Sequence, residues 1–454
     1  MEISDFPLPD EALQRAAEVI PTGKAGGWVD LFAERTETLR ADWDEAGGLR
    51  ILPGVREGWA IRSVAASHQA HRAVEGLDSE RLLASCRAGF HRPPALGPAS
   101  PTLEGFPWAL REREEAVALT VRSLAEDLSH RIPGSIVFSL SLHWRRRSIR
   151  VASPGGRVRS DRTTRALLTL RLLSAADEFV VGVGAPDLDL LLTRHPGESL
   201  GREAAAFLEL EGDRSEAPEG ERVVVLGPGT GGVFFHEACG HALEGDLVLK
   251  NASVFRDFRG RRVAAEFVGA MDDSSQPGLE GSYVCDDEGS PGRGTVLIAR
   301  GVLKAFLTDR TTGGCLEKGT TGNGRRESFR DLPLPRMSNT FLMAGTADPE
   351  EIVRETAEGI YVERLDGGRT DTASGDFLFR ASAGRRIEGG RLTAPLRPFS
   401  LVGNGLLALR SLDRVGSDLS FGTGSGSCGK EGQQIPVAVG QPTIRLRSIY
   451  VRPG

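Results

Sequence analysis

The sequence predicts an α+β protein, with a first half that mixes helices and strands and a second half built mainly of strands and turns. Three observations carry that expectation. Runs with helical spacing of apolar residues are concentrated before residue 211, whereas beyond residue 221 the chain reads as short apolar runs broken by turn signals. A polar stretch with glycine and proline, EGDRSEAPEGE at 211–221, separates the two, so the chain divides into domains 1–215 and 216–454. Glycine is skewed the same way: 20 of the 57 glycines lie in residues 1–220 and 37 in residues 221–454. Against an average usage of about 7%, the second half is the unusual one. It needs many backbone positions that other residues fill poorly.

In chain order, residues 10–20 and 111–131 carry the apolar spacing of helices. β-like runs lie at 28–33, 59–65, 135–142, 167–173 and 179–183. Residues 92–107, rich in proline and glycine, read as a loop, and a helix over 199–210 closes the half. In the second half, Arg300-Gly301 and Glu388-Gly389-Gly390 interrupt apolar runs as hairpin turns do. One helix there is well signed: Asp348 as N-cap, Pro349 at its first position, Glu350 and Glu351 in its first turn, Gly359 at its end.

Composition narrows the classes of function. A chain of 454 residues can bury sizeable cores without disulfides, and 39% hydrophobic against 26% charged residues is a folded composition. A net charge of −6 opposes a phosphate backbone, so nucleic acid is not expected as a partner. Five cysteines, odd in number and far apart, make no secreted disulfide framework. MEISDFPLPD has neither the basic nor the apolar region of a signal peptide, and no uncharged apolar stretch is long enough to span a membrane. The expectation is a soluble cytoplasmic protein.

Chemistry is concentrated at 222–246, RVVVLGPGTGGVFFHEACGHALEGD, where an apolar strand runs through glycines into a helix-compatible segment. Gly227, Gly229 and Gly232 fit G-x-G-x-x-G, but no second parallel strand ending in an acid follows. They read instead as a tight strand-to-helix turn. His236, Glu237 and His241 form H-E-x-x-x-H, with Glu244 and Asp246 just beyond, in a chain of only eight histidines. In the commoner H-E-x-x-H the histidines sit about 40° apart on one helix face. One extra residue puts them about 140° apart on a regular helix. A π-bulge, or a break at Gly240, would let both reach one ion. Zinc needs a further ligand, and Glu244, Asp246, Cys239 and a distant residue are all candidates. The best distant one is Cys428, in FGTGSGSCGKEGQ, where five glycines between Gly422 and Gly432 suggest a flexible loop and Lys430 would favour the thiolate. Cys86, Cys239, Cys285 and Cys315 read as small, mostly buried apolar residues.

These residues resemble the TldD-type members of the TldD/PmbA metallopeptidase family. The resemblance spans the second half: VVVLGPGTGGVFFHEACGHALEGD, CDDEGSPG at 285–292, TGNGRRESFRDLPLPRMSNT at 321–340, GGRTDTASGDFLF at 367–379 and SCGKEGQQIPVAVGQPTIR at 427–445. In the first half it is carried more weakly by WVDLFAER and REGWAIR. It implies a sandwich-like N-terminal domain, with the substrate tunnel and subunit pairing, before curved antiparallel sheets that carry the metal-site helix. It also implies a Zn2+-dependent peptidase for unfolded or short extended peptides. Zinc would be held by His236, His241 and Cys428, and Glu237 would be the catalytic base. The implied partner is a homologous PmbA/TldE-like chain or a second copy, and trimming the leader of a modified precursor peptide is one implied task. Family members have also been described as modulators of DNA gyrase. That alternative is a non-catalytic binding protein with a structural zinc.

Overall fold

A computed structural model describes residues 6–20, 27–65, 68–88, 108–174, 178–193, 196–210, 214–229, 232–316, 319–422 and 426–454. The expected loop at 92–107 lies outside them, as does part of the expected linker.

The first half is one antiparallel sheet with helices on one face. Its strands run in the order His68–Glu75, Gly48–Ala65, Trp28–Asp44, Val137–Ala152, Arg159–Leu173, Glu178–Ala185. Alternation sets the faces. Val29, Leu31, Ala33, Trp59 and Ile61 point towards helices Asp10–Glu18 and Ser79–Ala88, whose Leu13, Ala17, Leu82 and Cys86 they bury. Further along the same face, Leu39, Ala41, Leu142 and Trp144 bury Val121, Ala125 and Leu128 of helix Trp108–Arg131 and Leu200 and Ala204 of helix Pro196–Leu210.

The other face is charged and meets the second half. Arg62 and Asp30, paired across neighbouring strands, are fully buried, and the guanidinium also reaches Glu288 Oε1 at 2.6 Å. Arg147 joins Glu34 at 3.2 Å to Asp287 at 2.7 Å. Glu34 also accepts the Phe329 N–H, whose ring packs on Phe32, Ile149 and Val151. This face explains why the strands outrun their expected lengths. Val137–Ala152 continues through WRRRSIR, polar in sequence yet half of it inward-facing.

The second half is β-rich, with two curved sheets. In one, Glu358–Thr370, Gly220–Leu226, Ile444–Pro453, Phe399–Asn404 and Asp376–Glu388 pair in succession, and the last pairs back to the first, closing a ring of five strands. The other runs Val302–Leu303, Gly294–Ala299, Ala270–Asp273, Asn339–Leu342, Ala438–Gln441, Ser420–Phe421. The sheets are not wholly antiparallel: 224–226 pairs in parallel with 360–362, and 339–341 with 438–440. Both expected hairpins form, with positive φ at Arg300-Gly301 and at Gly389-Gly390. The Asp348-capped helix ends earlier than expected, at Arg354, because Gly359 already belongs to strand Glu358–Thr370. Among the described residues, no helix is long and apolar enough to cross a membrane.

Candidate metal centre

Strand Gly220–Leu226 delivers the chain to Gly227, and Gly232 N–H donates to the Gly229 carbonyl at 2.9 Å. Gly229 adopts φ +73°, and a side chain at Gly232 would stand 2.7 Å from the Gly440 backbone nitrogen. The glycines serve a tight turn. The strand that follows, Ala270–Asp273, lies in a different sheet, so no dinucleotide-type β-α-β unit forms here.

The next residues wind as a helix whose apolar side chains fill the core. Phe234, Phe235, Ala238, Cys239, Ala242 and Leu243 are all buried, and Phe234 meets Phe377 and Phe379 edge-on. With that face inward, His236, Glu237 and His241 share the opposite side. The extra residue of H-E-x-x-x-H is absorbed by a π-helical turn over His236–Gly240, in which His241 N–H donates to the His236 carbonyl. The helix does not break at Gly240, which has ordinary helical angles, φ −55° and ψ −51°. Glycine is needed there because a Cβ would stand 2.3 Å from Met337 Sδ. The chain leaves helical angles at Glu244, φ −78° and ψ 128°.

Cys428 comes from 187 residues further on. It lies not in a flexible loop but in the hairpin of Ser427–Lys430 with Gln433–Pro436, directly opposite Ile435, and it is buried in the main core. The one-atom donors of His236, His241 and Cys428 lie within 4.8 Å of one another. Cys428 Sγ approaches His241 Nε2 at 3.3 Å, and the two imidazoles stand nearly perpendicular with centroids 5.1 Å apart. Glu237 sits over this group, 3.8 Å from His241 Nε2 and 4.0 Å from His236 Nε2, with its side chain 27% exposed.

Electrostatics suit a cation. Burial alone would raise the Cys428 thiol, but the His236 and His241 rings bring it down to about 4, so the thiolate, the ligand form, prevails at neutral pH. Burial opposes a charged His241, yet Glu244 and Cys428 hold its pKa well above the ordinary value. Glu244, fully buried, is held far below the usual carboxylate range by Lys430, His241 and Arg336. The donor set, two imidazoles and a thiolate converging on one point, is a set that zinc takes, and the group of mutually close donors stops at three among the described residues.

The remaining candidates have other partners. Cys239 turns into the core towards the Gly405 carbonyl, and burial keeps it a neutral thiol. Glu244 accepts from His241 Nδ1, and Asp246 from Lys430. Lys430 is therefore not the group that ionises Cys428. Cys315, unlike the other incidental thiols, is exposed. Arg336 was not singled out in the sequence, although it is fully buried and donates to the Cys428 carbonyl at 2.5 Å. Its signal lay in the unexplained motif PLPRMSNT.

Residues 219–452 match the PmbA/TldA metallopeptidase C-terminal domain. A metalloprotease TldD homolog of Buchnera aphidicola is 40% identical over 250 residues, covering 55% of this chain and 52% of that protein. A zinc metalloprotease TldD homolog of Saccharolobus solfataricus is 36% identical over 244 residues, 54% of each. The chain thus matches about half the length of these curated relatives. TldE from Thermococcus kodakarensis shares the fold alone, with a TM-score of 0.70 at 17% identity, covering 97% of this chain and 99% of that one.

Proposed function

The chain belongs to the PmbA/TldD metallopeptidase family, and from that premise we propose that it is a zinc-dependent peptidase acting on unfolded or short extended peptides. The observation that carries this reading is the convergence of His236, His241 and Cys428 under a half-open carboxylate, Glu237. The three donors would hold the metal, and a zinc ion there would supply Lewis acidity towards a water and a peptide carbonyl. The chain's own residues do the rest. Glu237 faces both imidazoles and reaches solvent, so it accepts the attacking water's proton and returns it to the leaving amine. Three protein donors, rather than four, is the ligand number of catalytic zinc sites, which favours catalysis over a structural site.

Within this reading the division falls after residue 215, the N-terminal domain shapes substrate access, and the protein acts in the cytoplasm. Trimming the leader of a modified precursor peptide is the specific task proposed. A homologous PmbA/TldE-like chain is the proposed partner, with a second copy of this chain as the alternative. The reading is tested by incubating the purified chain, with and without its partner, with an unfolded peptide. Cleavage should stop with a chelator and return with added zinc. Chelator-insensitive cleavage, or none under any of these conditions, would overturn it.

A further inference from the structure

Four buried charged side chains around the ligands do no work in the proposed reaction. Lys430 lies two residues after Cys428 on the same strand, hence on the same face. Its ammonium donates to Glu244 Oε2 at 2.9 Å, Asp246 Oδ1 at 2.6 Å and the Pro335 carbonyl at 3.1 Å. The same Oε2 stands 3.2 Å from His241 Nδ1. Arg336 spans the same gap, donating to the Cys428 carbonyl with its Nε 3.9 Å from Glu244 Oε1. A ring therefore closes: Cys428, Lys430, Glu244, His241, and back across the 3.3 Å approach of Nε2 to Sγ.

We propose that Glu244 and Lys430 are positioning residues which clamp the thiol-bearing hairpin to the imidazole-bearing turn and fix His241 with Nε2 facing the metal position. The proposal rests on the ligand set given above. A carboxylate accepting from Nδ1 keeps the proton on that nitrogen and leaves Nε2 as the donor, the role of outer-shell carboxylates at histidine metal sites. Cohesion alone is a poor explanation for such a cluster. Buried ion pairs are often replaced by apolar groups at no loss of stability, whereas two ligands from segments 187 residues apart in sequence need a link.

The test uses the full chain as wild type, Glu244→Gln, Lys430→Met, the double variant and Cys428→Ser. Zinc affinity is read by competition with a chelator, and the cobalt-substituted protein by its thiolate-to-metal absorption. The double variant removes both charges of the central pair while Asp246 keeps Lys250 at 3.6 Å, and it is the variant read should a single one fail to fold. We expect each foldable variant to bind zinc about 10–100-fold more weakly. The double should lose little more than a single, since the pair acts as one unit, and its cobalt spectrum should change. Wild-type zinc affinity and an unchanged cobalt spectrum in the double variant would overturn the clamp, even if its stability fell. Failure of the ligand set looks different: the wild type would bind no zinc, or Cys428→Ser would bind it as tightly.

Discussion

Replacing Gly405 with alanine would press one methyl group against the turn that carries the histidines. Gly405 opens helix Gly405–Ser411 after the Asn404 cap, and its φ is not positive, so alanine meets no backbone strain there. Its Cβ would stand 2.1 Å from the Ala238 carbonyl oxygen and 3.0 Å from its carbon. Ordinary contact begins near 3.4 Å, so the overlap exceeds 1 Å, and it falls on backbone of the π-helical turn between His236 and His241. Overpacking of this kind costs about 1–3 kcal/mol, against a gain of about 0.5–1 kcal/mol for removing a helical glycine. The clash is with main chain, so the net effect is a loss of about 1–2 kcal/mol, with weaker zinc binding because the turn must shift. Gly314→Ala is the control: exposed in helix Arg310–Leu316 with nothing within 4 Å, it should gain about 0.5–1 kcal/mol. Urea unfolding of the metal-free variants and chelator competition read both effects. A Gly405→Ala protein as stable as wild type, with unchanged zinc affinity, would refute the packing argument.

Two other perturbations address the interface between the halves. Arg62→Met would leave Glu288 without its close cation and Asp30 with only the Arg326 guanidinium 4.0 Å away, a change that costs about 3–5 kcal/mol and should lower the urea midpoint sharply. An unchanged midpoint would mean that water or another cation reaches those carboxylates. His71 is held at about 4 by burial and by the Arg326 and Arg62 guanidiniums, against about 6.5 when unfolded. Between those values the unfolded chain binds the extra proton, so this ring removes stability as pH falls from 6.5 to 4. With screening at a partly exposed ring, the loss is about 1–2 kcal/mol. Asp161 and Asp309, each pushed up to about 6 chiefly by burial, work in the opposite sense. The measurement is therefore a difference: His71→Gln should flatten the acid limb relative to wild type, and parallel curves would refute the assignment.

Much of the site was legible because its residue types are rare and its spacing odd. Eight histidines, two of them flanking one glutamate at i, i+5, left few structural solutions, and a π-turn was one of them. What misled was glycine. Gly240 read as a possible helix break and the glycines around Cys428 as a flexible loop, yet Gly240 makes room for Met337, and Gly426 lets the Val437 carbonyl pass close by. Local sequence does not report such tertiary approach. Strand lengths failed for a related reason: WRRRSIR looks solvent-facing, but its Arg147 meets the Asp287 carboxylate and the Arg326 backbone carbonyl of the other half. Strand His68–Glu75 and helix Ser79–Ala88 went unread, the first polar on both faces and the second only weakly amphipathic.

The most direct measurement is zinc content and peptide cleavage side by side for wild type and Glu237→Gln. Glu237 stands close to both imidazoles without belonging to the three-donor group. The variant should keep about one zinc per chain while cleavage of an unfolded peptide falls by about 100-fold or more. Full cleavage with zinc retained would contradict Glu237 as the proton carrier, and loss of zinc would make it a ligand instead.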